Sequence, residues 1–274
     1  MPTIHPTAIV DSRAELAEDV EIQAYSIIGP HVSIGRGTLI QPHCVIQGPT
    51  AIGAGCNIGP AAYIGLDPQH LAFMAQPDRP ATWAEIGDRT IVRETTTVHR
   101  STKGGRENAT HVGSDVLLMC GVHIAHDCHI GDHVIMANCS LLGGHIHIGE
   151  RAFIGGGATM HQFCRVGRLA IIGGNEKPTK DVPPYSAMRD GGLKAYNAVG
   201  CRRGGLSRDA IHAIRSAYQC FHTHRTMNAI VAAIRESCPM TVEVAELLEF
   251  IASSKRGIVP SLHFVNLLKM DDGE

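Results

Sequence analysis

The 274-residue chain reads as a mainly β solenoid followed by an α-helical C-terminal domain. Three observations predict this. An aliphatic residue recurs every six positions to about residue 172, the residue after it is often Gly, and the apolar period turns helical beyond residue 206. The recurrence starts with Ile4, Val10, Leu16, Ile22, Ile28, Ile34, Ile40, Ile46, Ile52, Ile58 and Ile64. Ile86, Val92 and Val98 resume it, and Val112, Leu118, Ile124, Ile130, Met136, Leu142, Ile148, Ile154, Met160, Val166 and Ile172 complete it. Neither a helix nor plain strand alternation has a period of six; a short strand plus a tight corner does. The aliphatic fills the interior. The following Gly (Gly35, Gly87, Gly131 and others) is expected to serve the turn, and a small residue at the fifth position fits beside the corner.

This pattern resembles the hexapeptide-repeat family. The resemblance implies a left-handed parallel β-helix in which three hexads close one triangular coil. Counting hexads gives about eight coils, and at roughly 4.8 Å per stacked strand the prism would be on the order of 40 Å long. Two insertions interrupt the count, leaving loops at 66–85 and 101–111. Loops thrown out of a solenoid are expected on its functional face.

Composition narrows the role. A net charge of −2 argues against a nucleic-acid or membrane-surface partner. No run approaches the ~18–20 apolar residues of a membrane span, so no stable membrane insertion is expected. The repeat begins at Ile4, which leaves no room for a signal peptide. Among the nine Cys, Cys44, Cys56, Cys128 and Cys164 hold the small inward position of their hexads and read as buried hydrophobes rather than ligands or disulfides. A reducing, cytoplasmic location follows from that reading.

Residues 175–206 look irregular, with Pro178, Pro183, Pro184 and an Asp190-Gly191-Gly192 turn. Ser207, Thr226 and Thr241 then read as N-caps of three amphipathic helices. Their apolar faces carry Ile214 and Phe221, Ile230 and Ile234, and Leu247 and Ile251. The expected division is a β-helix domain over 1–192 and a helical domain over 193–274, the latter covering an open sheet edge.

The repeat also acts as a ruler on the seventeen histidines, because residues 18 apart stack on neighbouring coils. His145 lies 19 residues beyond His126, His161 lies 35 beyond, and His99 lies 27 before, or 19 without the eight inserted residues. His99, His126, His145 and His161 therefore fall close to one column, with His123 half a hexad away. Two chemistries compete for them. In the first, His126 is a general base oriented by Asp127, which requires a bend at the corner because neighbouring strand residues point to opposite faces. Gly143-Gly144 would then let backbone amides approach an oxyanion. In the second, His123, His126 and His129 hold a zinc ion, as in the γ-class carbonic anhydrases of related fold. This chain lacks the His-rich loop spacing of that family.

More specific stretches favour the first chemistry. Val112-Gly113-Ser114-Asp115, Leu117-Leu118-Met119 and His123-Ile124-Ala125-His126-Asp127-Cys128 resemble the UDP-N-acetylglucosamine O-acyltransferases of lipid A biosynthesis. Ile86-Gly87-Asp88-Arg89, Val98-His99-Arg100, His161-Gln162-Phe163-Cys164 and Asp181-Val182-Pro183-Pro184-Tyr185 extend the resemblance over essentially the whole chain.

The resemblance implies transfer of a 3-hydroxyacyl group from acyl carrier protein to the 3-position of a UDP-sugar, by a homotrimer, with no metal or organic cofactor. It maps His126 onto the general base, Asp127 onto its orienting carboxylate and Gly144 onto the oxyanion amide. His99, His123, His145, His161 and Gln162 map to substrate-lining positions, and Asn197 and Arg203 to the nucleotide end. The chain departs from the family pattern at His70 and Ala72, where an acid and a lysine are usual, and at Val199, where an acid is usual. These departures raise an acceptor with a 3-amino group; an acyl or acetyl transfer of the same fold to another sugar nucleotide is a separate alternative.

Overall fold

A computed structural model describes residues 1–262 of the chain. Hexads of two- or three-residue strands form three parallel sheets. Sheet A runs from Thr3–Ile4 to Ile171–Ile172, sheet B from Ile9–Val10 to Thr159–Met160, and sheet C from Glu15–Leu16 to Arg165–Val166. Each hexad contributes one strand and one corner, so three hexads return the chain to the same sheet. Ile4 accordingly pairs with Ile22, Ile22 with Ile40 and Ile40 with Ile58. Backbone amides donate to the next coil along the prism, for example Gly29 N to Ile46 O at 2.8 Å and Gly131 N to Ile148 O at 2.8 Å.

The aliphatic column fills the prism. Ile28, Ile46, Ile64, Val98, Ile124 and Ile154 are each at most 1% exposed. Cys44, Cys56, Cys128 and Cys164 are buried among them as free thiols, as their hexad position predicts.

The corner chemistry differs from the expectation in one respect. The left-handed residue is not the Gly after the aliphatic but the residue two places later, such as Gly37, Gly55, Asp127 (φ +60°) or His145 (φ +61°). The Gly after the aliphatic serves a different constraint. A Cβ on Gly87 would lie 2.5 Å from the backbone carbon of Gly113 in the next coil. Glycine is required there because the coils stack backbone on backbone.

Both insertions leave the prism at one edge. The first joins Tyr63–Leu66 of sheet B to Ala84–Ile86 of sheet C, and the second joins Thr97–His99 of B to Thr110–Val112 of C. The register simply skips them: Ile58 pairs with Val92 and Val92 with Leu118. Within the first loop lies a short helix, α1 (Leu71–Met74), whose N-cap His70 accepts from Phe73 N through Nδ1.

The segment expected to be irregular is in part ordered. Ser186–Arg189 and Gly192–Tyr196 form an antiparallel hairpin that extends sheet A, turning at Asp190 and Gly191, both at positive φ. Helix α2 (Ala198–Arg203) follows, capped by Asn197. Helices α3 (Arg208–Thr223), α4 (Met227–Ser237) and α5 (Val242–Ala252) start at Ser207, Thr226 and Thr241, each hydroxyl accepting an amide of the first turn. α3 packs on α4 and α5.

α5 is tied to the end of sheet C. The Arg165 guanidinium donates to Phe250 O at 2.9 Å and pairs with the buried Asp181 at 3.0 Å, while Arg168 pairs with Glu246 at 2.8 Å. No helix of the described residues is long and apolar enough to cross a membrane.

The thin core leaves little room to collapse around a void. Ile46→Ala removes a fully buried side chain from the middle of the column and should cost about 2–5 kcal/mol in denaturant unfolding. The exposed Ile9→Ala in the second strand should cost well under half of that.

Candidate active site

The edge that carries both loops also carries His126 and Asp127, which lie between His123–Ile124 of sheet B and His129–Ile130 of sheet C. Asp127 is the left-handed corner residue of its hexad. That backbone bend turns its carboxylate back toward the preceding ring, supplying the contact that an extended strand forbids. His126 Nδ1 lies 2.6 Å from Asp127 Oδ2. A carboxylate only accepts, so Nδ1 carries the proton and Nε2 is left as the basic nitrogen.

The second loop completes the carboxylate's shell. Thr102 donates to Asp127 from its amide at 3.0 Å and from its hydroxyl at 2.8 Å. Thr110 Oγ1 accepts the Asp127 amide at 2.8 Å. Burial opposes the charge of Asp127, but the bonds from His126 and Thr102 outweigh it and hold its pKa at about 2.

Register separates the histidines that the ruler placed near one column. Asp127, His145 and Phe163 are spaced by 18 and share the left-handed corner. The His145 ring stacks on Phe163 at 4.5 Å, and its Nε2 lies 3.6 Å from Asp127 Oδ2. His126 sits one place earlier, over Gly144. A Cβ on Gly144 would fall 2.5 Å from the His126 ring, so only glycine leaves space for the imidazole. The Gly144 amide makes no hydrogen bond among the described residues.

His126 is flanked edge to face by His145 at 5.2 Å and by His70 of the first loop at 5.3 Å. His99 contacts His123 instead, at 5.1 Å, and His123 Nδ1 meets Thr97 Oγ1 at 2.7 Å. His161 and Gln162 are exposed, with His161 Nδ1 3.2 Å from Gln162 O. The zinc spacing of His123, His126 and His129 straddles the corner: His123 is on sheet B and His129 on sheet C.

Asn197 and Arg203 are elsewhere on the prism. With Val199, Gly200, Arg151 and Phe153 they line a cavity of about 360 Å³ over the outer face of sheet A. The Asn197 side chain already caps α2 through Gly200 N at 2.9 Å and donates to Leu169 O at 2.8 Å. Arg203 is exposed and has no ion pair among the described residues.

Thr102, Thr110 and the ring contact of His70 escaped sequence reasoning. His70 and Thr102 are loop residues without register, so nothing in the sequence points to them, while Thr110 is in register at the small inward position of its hexad. Phe163 had a signal, standing 18 residues after His145.

Comparison with known proteins decides among the chemistries. A family model described as UDP N-acetylglucosamine O-acyltransferase, domain 2, matches residues 181–259, and one for the bacterial transferase hexapeptide matches 31–65 and 109–144. The acyl-[acyl-carrier-protein]–UDP-N-acetylglucosamine O-acyltransferase of Syntrophobacter fumaroxidans is 46% identical over 260 residues, covering 93% of this chain and 99% of its own. The chain belongs to this acyltransferase family.

Solved acyltransferases agree. The UDP-N-acetylglucosamine acyltransferase of Bacteroides fragilis is 35% identical with a TM-score of 0.86, covering 93% of this chain and 99% of its own. That of Francisella novicida is 30% identical with a TM-score of 0.88, covering 96% of each.

In this acyltransferase, the buried His99 imidazole resists charging. It is 5% exposed and its Nδ1 has no partner among the described residues. Burial, with the neighbouring His123 and His126, lowers its pKa from 6.5 to about 4. Between pH 4 and 6.5 the unfolded chain binds a proton that the folded chain refuses, so stability rises with pH through that window and is lost on acidification. Denaturant unfolding measured at pH 7 and pH 4.5 should show this loss, and His99→Gln should reduce it by up to about 3 kcal/mol.

Proposed function

We propose that the enzyme transfers a 3-hydroxyacyl group from the thioester of acyl carrier protein to the 3-hydroxyl of a UDP-N-acetylglucosamine-type acceptor, the first step of lipid A biosynthesis. The observation that carries the mechanism is the His126–Asp127 pair at 2.6 Å, with the His126 ring buried and its Nε2 left free. His126 Nε2 takes the proton as the acceptor oxygen attacks the thioester carbonyl. Asp127 fixes the tautomer and stabilises the imidazolium. The carbonyl oxygen becomes an oxyanion, and the uncommitted Gly144 amide beside the ring is the donor for it. Collapse of the adduct expels the thiolate of the carrier arm, which takes up the proton held by His126.

His123, His145, His161, Gln162 and His99 surround this edge as substrate-lining groups. Arg203, the free cation of the sheet A cavity, suits a nucleotide diphosphate, with Asn197 shaping the same cavity. Because that cavity and the catalytic edge belong to different faces of one prism, a neighbouring subunit must bring one to the other, as a homotrimer does. Outward apolar residues of sheet B, including Ile27, Tyr63 and Leu141, give such a neighbour a surface. The reaction needs no metal or organic cofactor, and a reducing cytoplasm suits the nine free thiols.

His126→Ala should fold and keep its quaternary state while kcat drops roughly 10²–10⁴-fold. Wild-type activity should survive exhaustive chelation. Unchanged turnover in the variant, or loss on chelation, would overturn the assignment. Assaying UDP-N-acetylglucosamine beside its 3-amino analogue tests the acceptor, since His70 adjoins His126 where the family has an acid.

Shared sites predict complementation. Coexpressed His126→Ala and Arg203→Ala chains, each weakly active alone, should regain activity in mixed oligomers. Absence of recovery in confirmed mixed oligomers would place both groups in one subunit's site.

A further inference from the structure

Sheet C presents a second set of histidines that the acyl transfer does not use. His111, His129 and His147 occupy the outward position of three successive strands and are direct register partners, His111 with His129 and His129 with His147. Identical spacing on a parallel sheet stacks like on like. The His129 and His147 rings are 4.9 Å apart and within 13° of parallel, and His111 follows at 6.3 Å and 31°. His129 and His147 make no side-chain hydrogen bond among the described residues. His111 Nδ1 is 3.5 Å from Glu85 Oε2, a contact that leaves its Nε2 outward.

We propose that the His129–His147 step of this ladder is a binding site for a divalent transition ion of the zinc, nickel or copper type, with these two imidazoles as its paired ligands. Imidazole is a preferred ligand of all three ions. Near-parallel rings at this spacing set a nitrogen of one beside a nitrogen of the other. Metal–nitrogen bonds of about 2.0–2.1 Å require the two nitrogens roughly 3.4 Å apart. A tilt of the rings toward each other about their Cβ–Cγ bonds closes the difference without moving the stacked backbone.

The surroundings favour a cation. Burial and the adjacent imidazoles lower the pKa of both His129 and His147, keeping their lone pairs available at neutral pH. Asp132 lines the same open cavity, together with Glu246 and Glu150, which are paired with Arg168 and Arg151. Arg165, the next outward residue after His147, is neutralised by Asp181.

The ladder is separate from His126, Asp127 and His145, whose ligand atoms lie within 4.8 Å of one another, so the test must tell the two apart. Untagged, chelator-treated protein would be titrated calorimetrically with Ni²⁺ and passed over a Ni²⁺-charged resin. His129→Asn and His147→Asn should each weaken Ni²⁺ binding by at least tenfold and elute early. His111→Asn and His126→Asn should each leave it unchanged. Acyl transfer by the ladder variants should equal wild type, which confirms their fold. Retention of full Ni²⁺ affinity by both His129→Asn and His147→Asn, or its loss in His126→Asn, overturns the proposal. Failure of the acyltransferase assignment would appear in the His126→Ala assay and leave this result untouched.

Discussion

Everything in this molecule depends on the stacking of one coil on the next with a fixed register. Almost every strand of the coils is two or three residues long and has no stability of its own. Its backbone bonds go to the coils on either side, and its one inward aliphatic rests on those above and below. The geometry is therefore quasi-one-dimensional: a change at one coil is felt by its two neighbours. The glycines after the aliphatics belong to this constraint, because stacked corners leave no space for a Cβ.

That rigidity is what brings a His–Asp pair together at a corner. His126 and Asp127 are adjacent in sequence, and in a regular strand they would diverge. The left-handed corner, repeated along the edge at His145 and Phe163, folds the carboxylate back onto the ring. The neighbouring coil then supplies Gly144 as a flat support for the imidazole. The rotamers of the reacting groups are thus set by coils stabilised through apolar packing, and the loops finish the shell. Thr102 neutralises much of the cost of burying Asp127, and His70 closes the other side of His126.

Sequence reasoning reached most of the fold because six-residue periodicity has one structural solution. It located the aliphatic core, the inward cysteines, the three long helices with their caps and the two loops. It chose His126 and Asp127 from the ruler and the resemblance together. It misjudged the corner glycine, since close approach and positive φ leave the same mark in a sequence. It also left the hairpin at Ser186–Arg189 and Gly192–Tyr196 unrecognised, because strands this short, without the repeat, carry no period.

The sequence by itself determined the periodicity, and through it the coil register, the buried column and the outward stack of His111, His129 and His147. These are local properties repeated at a constant interval, so counting residues recovers them. Only the tertiary structure decided which histidines meet. A shift of one position along the chain moves a side chain from one face to another, so His99 turns to His123 while His145 turns to His126 and Asp127. Tertiary structure also decided that both insertions emerge at the edge that carries His126 and Asp127, and that Asn197 and Arg203 lie on another face. Loop conformation and corner dihedrals set those outcomes, and neither follows a period.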